Sequence, residues 1–213
     1  MGQVMGVDEA GRGCVIGPMV MAGFMMEEHE SLLSVLIHMG VKDSKQLTPL
    51  QRNEIVQKLK VMDIHYKIIK LFPPLLDSAS LNDLEAKATS DMIMELKPER
   101  VYLDVPTRGR GITRYCEYVR EGCKEHSVEL IGGNHMDRDN LFVASASILA
   151  KTLRDTHRDM LKLRYGEFGS GYPSDPLTRA WLKEWRRTHD AWPSIVRTKW
   201  STLSSLLKEM GEN

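Results

Sequence analysis

Short apolar runs at residues 3–7 and 19–25 flank a glycine-rich stretch at 10–18, a pattern that predicts two strands joined by a loop. A third strand is expected over 64–72. Between them, Leu32, Leu33, Leu36 and Ile37 fall at helical spacing within 31–39. Thr48 followed by Pro49 reads as an N-cap with proline at the first helical position, opening a helix that runs to about Lys60. Pro73 and Pro74 stop the third strand, and the polar stretch 78–83 opens a helix carrying Leu84, Ala88, Met92 and Leu96 until Pro98. Residues 101–104 read as a buried strand, 112–125 as a helix with Tyr115, Val119 and Cys123 about a turn apart, and 128–131 as a strand before Gly132 and Gly133. From Phe142 onward no strand recurs. A long helix over 142–165, a Gly/Pro/Ser loop over 166–176, and helices over 177–188 and 198–210 are expected instead.

Three strands followed by alternating helix and strand imply an antiparallel meander feeding strand-helix-strand crossovers. The expected class is therefore α/β, one mixed sheet with helices on its faces and a small C-terminal helical lobe. No repeat or low-complexity tract disturbs this order.

Composition narrows the setting. A chain of 213 residues can bury a core without staples, and its three cysteines, Cys14, Cys116 and Cys123, form no CxxC pair, so free thiols and a reducing cytoplasm are expected. The first seven residues are too short and mixed for a signal peptide, Gly6 stands where a myristoylation motif needs Ser or Thr, and no apolar run approaches the roughly 18 residues of a membrane span. Formal net charge is zero, but residues 145–213 hold 12 Lys and Arg against 8 Asp and Glu, leaving an acidic excess in the first 144. An acidic part and a basic part suit a metal site and a nucleic-acid grip on one molecule.

Carboxylates sit at the strand ends. Asp8 and Glu9 close the first apolar run, Asp104 closes 101–104, and Asp137 follows the last strand at the entrance to the long helix. In open α/β sheets ligands bind at that edge, and parallel neighbours would bring these acids together. A single acid there is ordinarily a turn or helix cap; four at successive strand ends are more than capping needs. Clustered carboxylates without Cys or His pairs suit Mg²⁺ or Mn²⁺, and two such ions roughly 4 Å apart are what phosphodiester hydrolysis uses. The histidines lie at no ligand spacing, which argues against zinc. Gly11-Arg12-Gly13 follows the acids at once, and its backbone amides can approach a sugar hydroxyl or a phosphate.

The run Gly6-Val7-Asp8-Glu9-Ala10-Gly11-Arg12-Gly13 with Ile16-Gly17-Pro18 resembles the opening signature of the ribonuclease HII family. Asp43-Ser44-Lys45-Gln46-Leu47 resembles its DSKxL element, Ser147 to Lys151 with Arg154-Asp155 its SIxAKxxRD helix, and Gly169 to Pro176 the loop of archaeal members. The resemblance spans nearly the whole chain. It implies a ribonuclease H-like five-stranded mixed sheet flanked by helices, with a catalytic domain over 1–165 and a helical lobe over 166–213 that covers the substrate groove.

It further implies an endonuclease that hydrolyses the RNA strand of RNA/DNA hybrids and cuts 5′ of ribonucleotides embedded in duplex DNA, leaving 3′-hydroxyl and 5′-phosphate ends. Asp8, Glu9, Asp104 and Asp137 would hold two Mg²⁺ or Mn²⁺ ions. Gly11, Arg12, Gly13 and Tyr172 would read the 2′-hydroxyl, Lys45 would hold a phosphate, and Lys151 is a further candidate for a structural or phosphate contact. A monomer is expected.

Cys14 departs from a usual proline, Asn134 from a histidine, and Leu141 from a proline, while Asp139 competes with Asp137 for the fourth ligand position. Ser147, Lys151, Arg154 and Arg158 form one polar stripe on the long helix, which is ordinarily a solvated face. In the last lobe, Arg179, Lys183, Arg186, Arg187, Arg197 and Lys199 interleave with tryptophans; the rings are expected in a small core and the cations on nucleic acid. A catalytically silent nucleic-acid-binding module is the alternative, and intact acids favour the enzyme. Phosphate-ester chemistry on small molecules accounts poorly for the basic lobe.

Overall fold

The computed structural model describes residues 2–211; readings that fall on Met1, Glu212 and Asn213 lie outside the described residues. Five strands form one sheet in the order β3-β2-β1-β4-β5. β1 (Gln3–Ala10) pairs antiparallel with β2 (Met19–Glu27), and parallel with β4 (Arg100–Asp104), which pairs parallel with β5 (Glu129–Gly133). β3 (His65–Leu71) lies beyond β2. The eight residues 19–26 of β2 are all buried, as expected of a continuous apolar run in an interior strand.

Helices occupy the connections. α1 (Glu30–His38) and α2 (Pro49–Leu59) separate β2 from β3, and α2 starts with a full capping box in which Thr48 and Gln51 exchange hydrogen bonds. α3 (Pro73–Leu76) and α4 (Leu81–Leu96) lead to β4, and α5 (Arg110–Gly122) crosses from β4 to β5. α6 (Met136–Asp139), α7 (Leu141–Tyr165), α8 (Pro176–Thr188) and α9 (Ser201–Glu209) complete the chain. Two results refine the expected pattern. Pro73 and Pro74 open the short helix α3 as well as stopping β3, because proline's fixed φ suits a first helical turn. β1 extends to Ala10, so Asp8 and Glu9 lie inside the strand.

The chain divides into two compact units. The first comprises residues through Ala10, Val20–Ile69 and Ser80–Thr152; the second comprises Gly11–Met19, Lys70–Ala79 and residues from Leu153 onward. In the first, Met5, Met21, Met25, Met26 and Met92 are buried among Phe24, Ile93, Val101 and Leu103, so methionine fills the core. In the second, Val15, Ile16, Phe168, Leu182, Ile195, Val196, Leu203 and Leu206 form the core, with Trp181, Trp192 and Trp200 packed against it. Three of the four tryptophans thus pack on the core as expected, while Trp185 stacks on His189 with ring centroids 3.9 Å apart.

Gly6 decides where α7 sits. A Cβ there would lie 2.1 Å from the Phe142 carbonyl carbon, so only glycine lets the first turn of α7 rest on β1. Asn140 caps that turn, its Oδ1 accepting from the amides of Phe142 and Val143 at 3.0 and 3.1 Å.

Candidate active site

The register of β1 against β4 ends at Val7 beside Leu103, so the next positions along the two parallel strands are Asp8 and Asp104. Residues level with each other on parallel strands point to the same face, which brings these two carboxylates together. Asp104 is level with Gly133 of β5, and the chain then turns through His135, whose φ of 60° is left-handed, into α6. That turn aims the Met136 amide at Asp104 Oδ1, 3.1 Å away, and buries Asp137. Asp139, two residues on, is exposed. The structure thus buries Asp137 and leaves its competitor Asp139 exposed.

Burial and like charge dominate the site. The Asp8 carboxyl is held well above the ordinary carboxylate range, first by burial and then by Glu9 and Asp104, while hydrogen bonds from Ser147 and the Glu9 amide pull it back. Burial raises Asp104 as well, with Asp137 adding to the effect and the Met136 and His135 amides and Lys45 opposing it. Asp137 is 1% exposed; its Oδ2 accepts from Lys45 Nζ at 3.1 Å, and its Oδ1 is buried with no hydrogen-bond partner. Burial pulls the Lys45 ammonium down, but the hydrogen bond and charge of Asp137 outweigh it and raise its pKa.

Supporting residues come from α7 and from the loop before α2. Ser147 hydrogen-bonds Asp8, and its Oγ lies 2.8 Å from Ser44 Oγ in a buried contact. Arg52, itself buried, donates from Nη1 to the carbonyls of Ser44 and Leu47 at 3.3 and 2.7 Å and so fixes the loop that carries Lys45. Lys151, also on α7, is half-buried.

Among the described residues no three Asp, Glu, His or Cys side chains already stand together as an ion-binding group. The donor set nevertheless fits hard divalent cations: every candidate ligand is a carboxylate, one buried oxygen has no partner, and burial makes the negative charge costly without a cation.

Gly11, Arg12, Gly13 and Tyr172 belong to the second unit. Gly13 is exposed, and a Cβ built on it would be 3.8 Å from the Tyr172 ring. Val15 and Ile16 donate to the Gly171 carbonyl at 2.8 and 3.2 Å, tying this loop to the one that carries Tyr172. Arg154, 3% exposed, donates to Cys14 Sγ at 2.8 Å and to the Ser170 carbonyl, with its guanidinium carbon 5.0 Å from the centre of the Tyr172 ring. Burial and the Cys14 side chain push the Tyr172 phenol up to about 12.

The basic residues of the last lobe are mostly spent internally. Arg179 and Lys183 pair with Glu209 at 2.6 and 2.9 Å, Arg187 pairs with Glu184 at 3.6 Å, and Arg186 donates to the carbonyls of His189 and Asp190. Arg197 is fully buried and bonds three backbone carbonyls. These pairs hold several of the lobe's cations against neighbouring carboxylates and carbonyls. Arg52 was not singled out by the sequence; Ser44, Ser147 and Arg154 entered it only within motifs of the resemblance, and the last two also as a polar stripe, with no role assigned to them.

A mixed five-stranded sheet presenting acids on adjoining parallel strands defines the ribonuclease H-like class. The family model described as ribonuclease HII matches residues 5–203. A ribonuclease HII from Pyrococcus abyssi is 39% identical over 96% of this chain and 91% of its own length. The crystal structure of ribonuclease H2 from Pyrococcus horikoshii superposes with a TM-score of 0.88 at 37% identity, covering 99% of this chain and 100% of that one. A ribonuclease HII from Archaeoglobus fulgidus, solved in complex with PCNA, gives 0.84 at 35% identity over 95% and 96% of the two chains. The chain belongs to the ribonuclease HII family, hydrolytic endonucleases that act on the RNA of RNA/DNA hybrids. Among the described residues no helix is long and apolar enough to cross a membrane.

Proposed function

We propose that this chain cuts RNA/DNA hybrids, and duplex DNA on the 5′ side of an embedded ribonucleotide, leaving 3′-hydroxyl and 5′-phosphate ends. Asp8, Glu9, Asp104 and Asp137 are the residues that would hold two divalent ions, Mg²⁺ or Mn²⁺. The observation that carries this reading is the pairing of Asp8 with Asp104 on adjoining parallel strands, beside a buried Asp137 oxygen that has no partner. A Bst ribonuclease HIII, 17% identical to this chain, was solved in complex with Mn²⁺. When bound, divalent ions would polarise the scissile phosphate as Lewis acids and lower the pKa of water so that hydroxide is available for the attack.

The chain's own residues do the rest. Ser147 fixes the Asp8 carboxylate, and the Met136 amide fixes that of Asp104. Lys45, 67% exposed, reaches in from solvent and is suited to exchange Asp137 for a substrate phosphate. Gly11, Arg12 and Gly13 present backbone amides to the 2′-hydroxyl, and Tyr172 packs its ring on the neighbouring sugar. Lys151 is a further phosphate contact. The enzyme works as a monomer in the cytoplasm.

The test incubates the protein and Mg²⁺ or Mn²⁺ with duplex DNA carrying one ribonucleotide. Cleavage 5′ of that ribonucleotide is expected; no cutting with either ion overturns the proposal.

A further inference from the structure

We infer that Arg197 is the positioning residue of the recognition loop: it aims the backbone amides at residues 12 and 13 outward without touching substrate. This rests on the reading of Gly11-Arg12-Gly13 and Tyr172 given above.

Arg197 is 0% exposed, yet no carboxylate is among its hydrogen-bond partners. Its guanidinium fork donates instead to carbonyls of a single loop: Nη2 to Gly11 at 2.7 Å, Nη1 to Arg12 at 2.7 Å and Nε to Gly17 at 3.0 Å. Burying a cation against neutral acceptors is an expensive way to stabilise a fold, and a well-packed apolar side chain generally serves that end better. Burial lowers the Arg197 pKa to about 10, so the cation persists at neutral pH.

The geometry gives that charge a purpose. A trans peptide is planar, with its C=O and N–H pointing in opposite directions. The Gly11 carbonyl shares its plane with the Arg12 amide, and the Arg12 carbonyl shares its plane with the Gly13 amide. Holding both carbonyls on one buried guanidinium therefore turns both amides away from it. Gly11, with φ of 83°, permits the required backbone. The Gly13 amide ends in an exposed residue beside the Tyr172 ring and has no hydrogen-bond partner among the described residues. A cation on the carbonyl side also polarises each peptide and makes its N–H a stronger donor.

Arg197 is itself firmly held. Its amide donates to the Val15 carbonyl at 2.9 Å, Val196 bridges Ile16, and its guanidinium carbon lies 4.9 Å from the Trp200 ring centre. Lysine keeps the charge but lacks the planar fork, so it can restore only part of this arrangement.

The experiment measures equilibrium binding, in an Asp8→Asn background that removes turnover, to duplex DNA carrying one ribonucleotide and to the same duplex with 2′-fluoro at that position. The preference for the ribonucleotide should fall about tenfold on adding Arg197→Met, the scale of one well-placed hydrogen bond, and Arg197→Lys should recover part of it. A purely structural role would weaken both duplexes equally, and an unchanged preference in Arg197→Met, with Tyr172→Ala losing it, overturns the inference while the loop reading stands. If Tyr172→Ala also keeps the preference, the loop reading fails and the inference falls with it. Should Arg197→Met not fold by circular dichroism, Arg197→Lys decides: a reduced preference supports the inference, and an unchanged one overturns it.

Discussion

In the first unit, Asp8 and Asp104 lie on adjoining parallel strands and the buried Asp137 accepts from the Lys45 ammonium; in the second, Arg154 and Arg197 are buried against carbonyls, a thiol and Asp155. The acidic edge leaves a buried carboxylate oxygen without a partner and raises the pKa of two of its acids. In the arginine-knit loop the Arg197 guanidinium instead donates to the carbonyls of Gly11, Arg12 and Gly17. On the proposed function, the difference separates two tasks. A site that binds cations has to keep negative charge under-compensated, whereas a surface that reads one hydroxyl has to hold its donors still.

The strongest way to break this contrast is to remove charge from the acidic edge. Asp8→Asn or Asp104→Asn should lower turnover on a single-ribonucleotide duplex by at least about 10³-fold, since metal stabilisation of several kcal/mol converts at about 1.4 kcal/mol per tenfold. The same change should stabilise the protein in EDTA. A carboxyl whose folded pKa is raised contributes a cost that sets in as pH climbs past its unfolded value and is complete above the folded one. Asp8→Asn removes that cost, so its melting point at neutral pH should rise by the equivalent of about 1 kcal/mol. Full activity removes the residue from the site, and an unchanged or lower melting point contradicts the crowding.

Asp137 and Asp139 sharpen the comparison, being two residues apart on one short helix but opposite in burial. Asp137→Asn should cost roughly 10²- to 10³-fold in turnover. Asp139→Asn should stay within about twofold, as exposed substitutions do. The reverse order would move the fourth ligand to Asp139.

Much of this architecture was legible from periodicity and punctuation. All five strands and the seven longer helices were expected close to where they lie, because long amphipathic runs bounded by Pro and Gly have few alternatives. α6 was missed because it has only four residues and follows a left-handed His135, a conformation that nothing in a histidine announces. The acids were legible from the apolar runs they close, although Asp8 and Glu9 lie inside β1 and not at its end, but their support was not. Ser44 and Ser147 are 103 residues apart, and Arg197 meets the loop carbonyls from 180 to 186 residues away. Spacing along one helix made Ser147 part of a solvated stripe, and composition made Arg197 a nucleic-acid contact. Gly6 was the available signal: a glycine inside an apolar strand marks the close approach of another backbone, here α7 with Ser147 one turn further on.

Ser147 tests whether that approach matters. Ser147→Ala deletes the hydrogen bond to Asp8 and the buried contact with Ser44, leaving the carboxylates in place. Groups that orient metal ligands are worth roughly 10- to 100-fold, so turnover should fall near the lower figure, with a matching rise in the Mn²⁺ concentration needed for half-maximal rate. Loss of turnover with no change in metal requirement would detach Ser147 from ligand orientation.

The smallest effect belongs to the second unit and should appear in stability alone. Asp175 caps α8, its Oδ1 accepting from the Leu177 amide at 2.9 Å and its Oδ2 from the Ser170 amide at 2.6 Å, which also holds the loop leading to Tyr172. These hydrogen bonds, led by those from Ser170, lower its pKa, so its contribution is present at neutral pH and is lost as pH falls through the depressed folded value. Asp175→Ala should cost about 1 kcal/mol in denaturant unfolding at pH 7. That penalty should shrink below pH 4, where the wild-type carboxyl takes up its proton. A penalty independent of pH would mean that the side chain acts by packing, and the second unit's loops would then owe less to charge than the arginine network suggests.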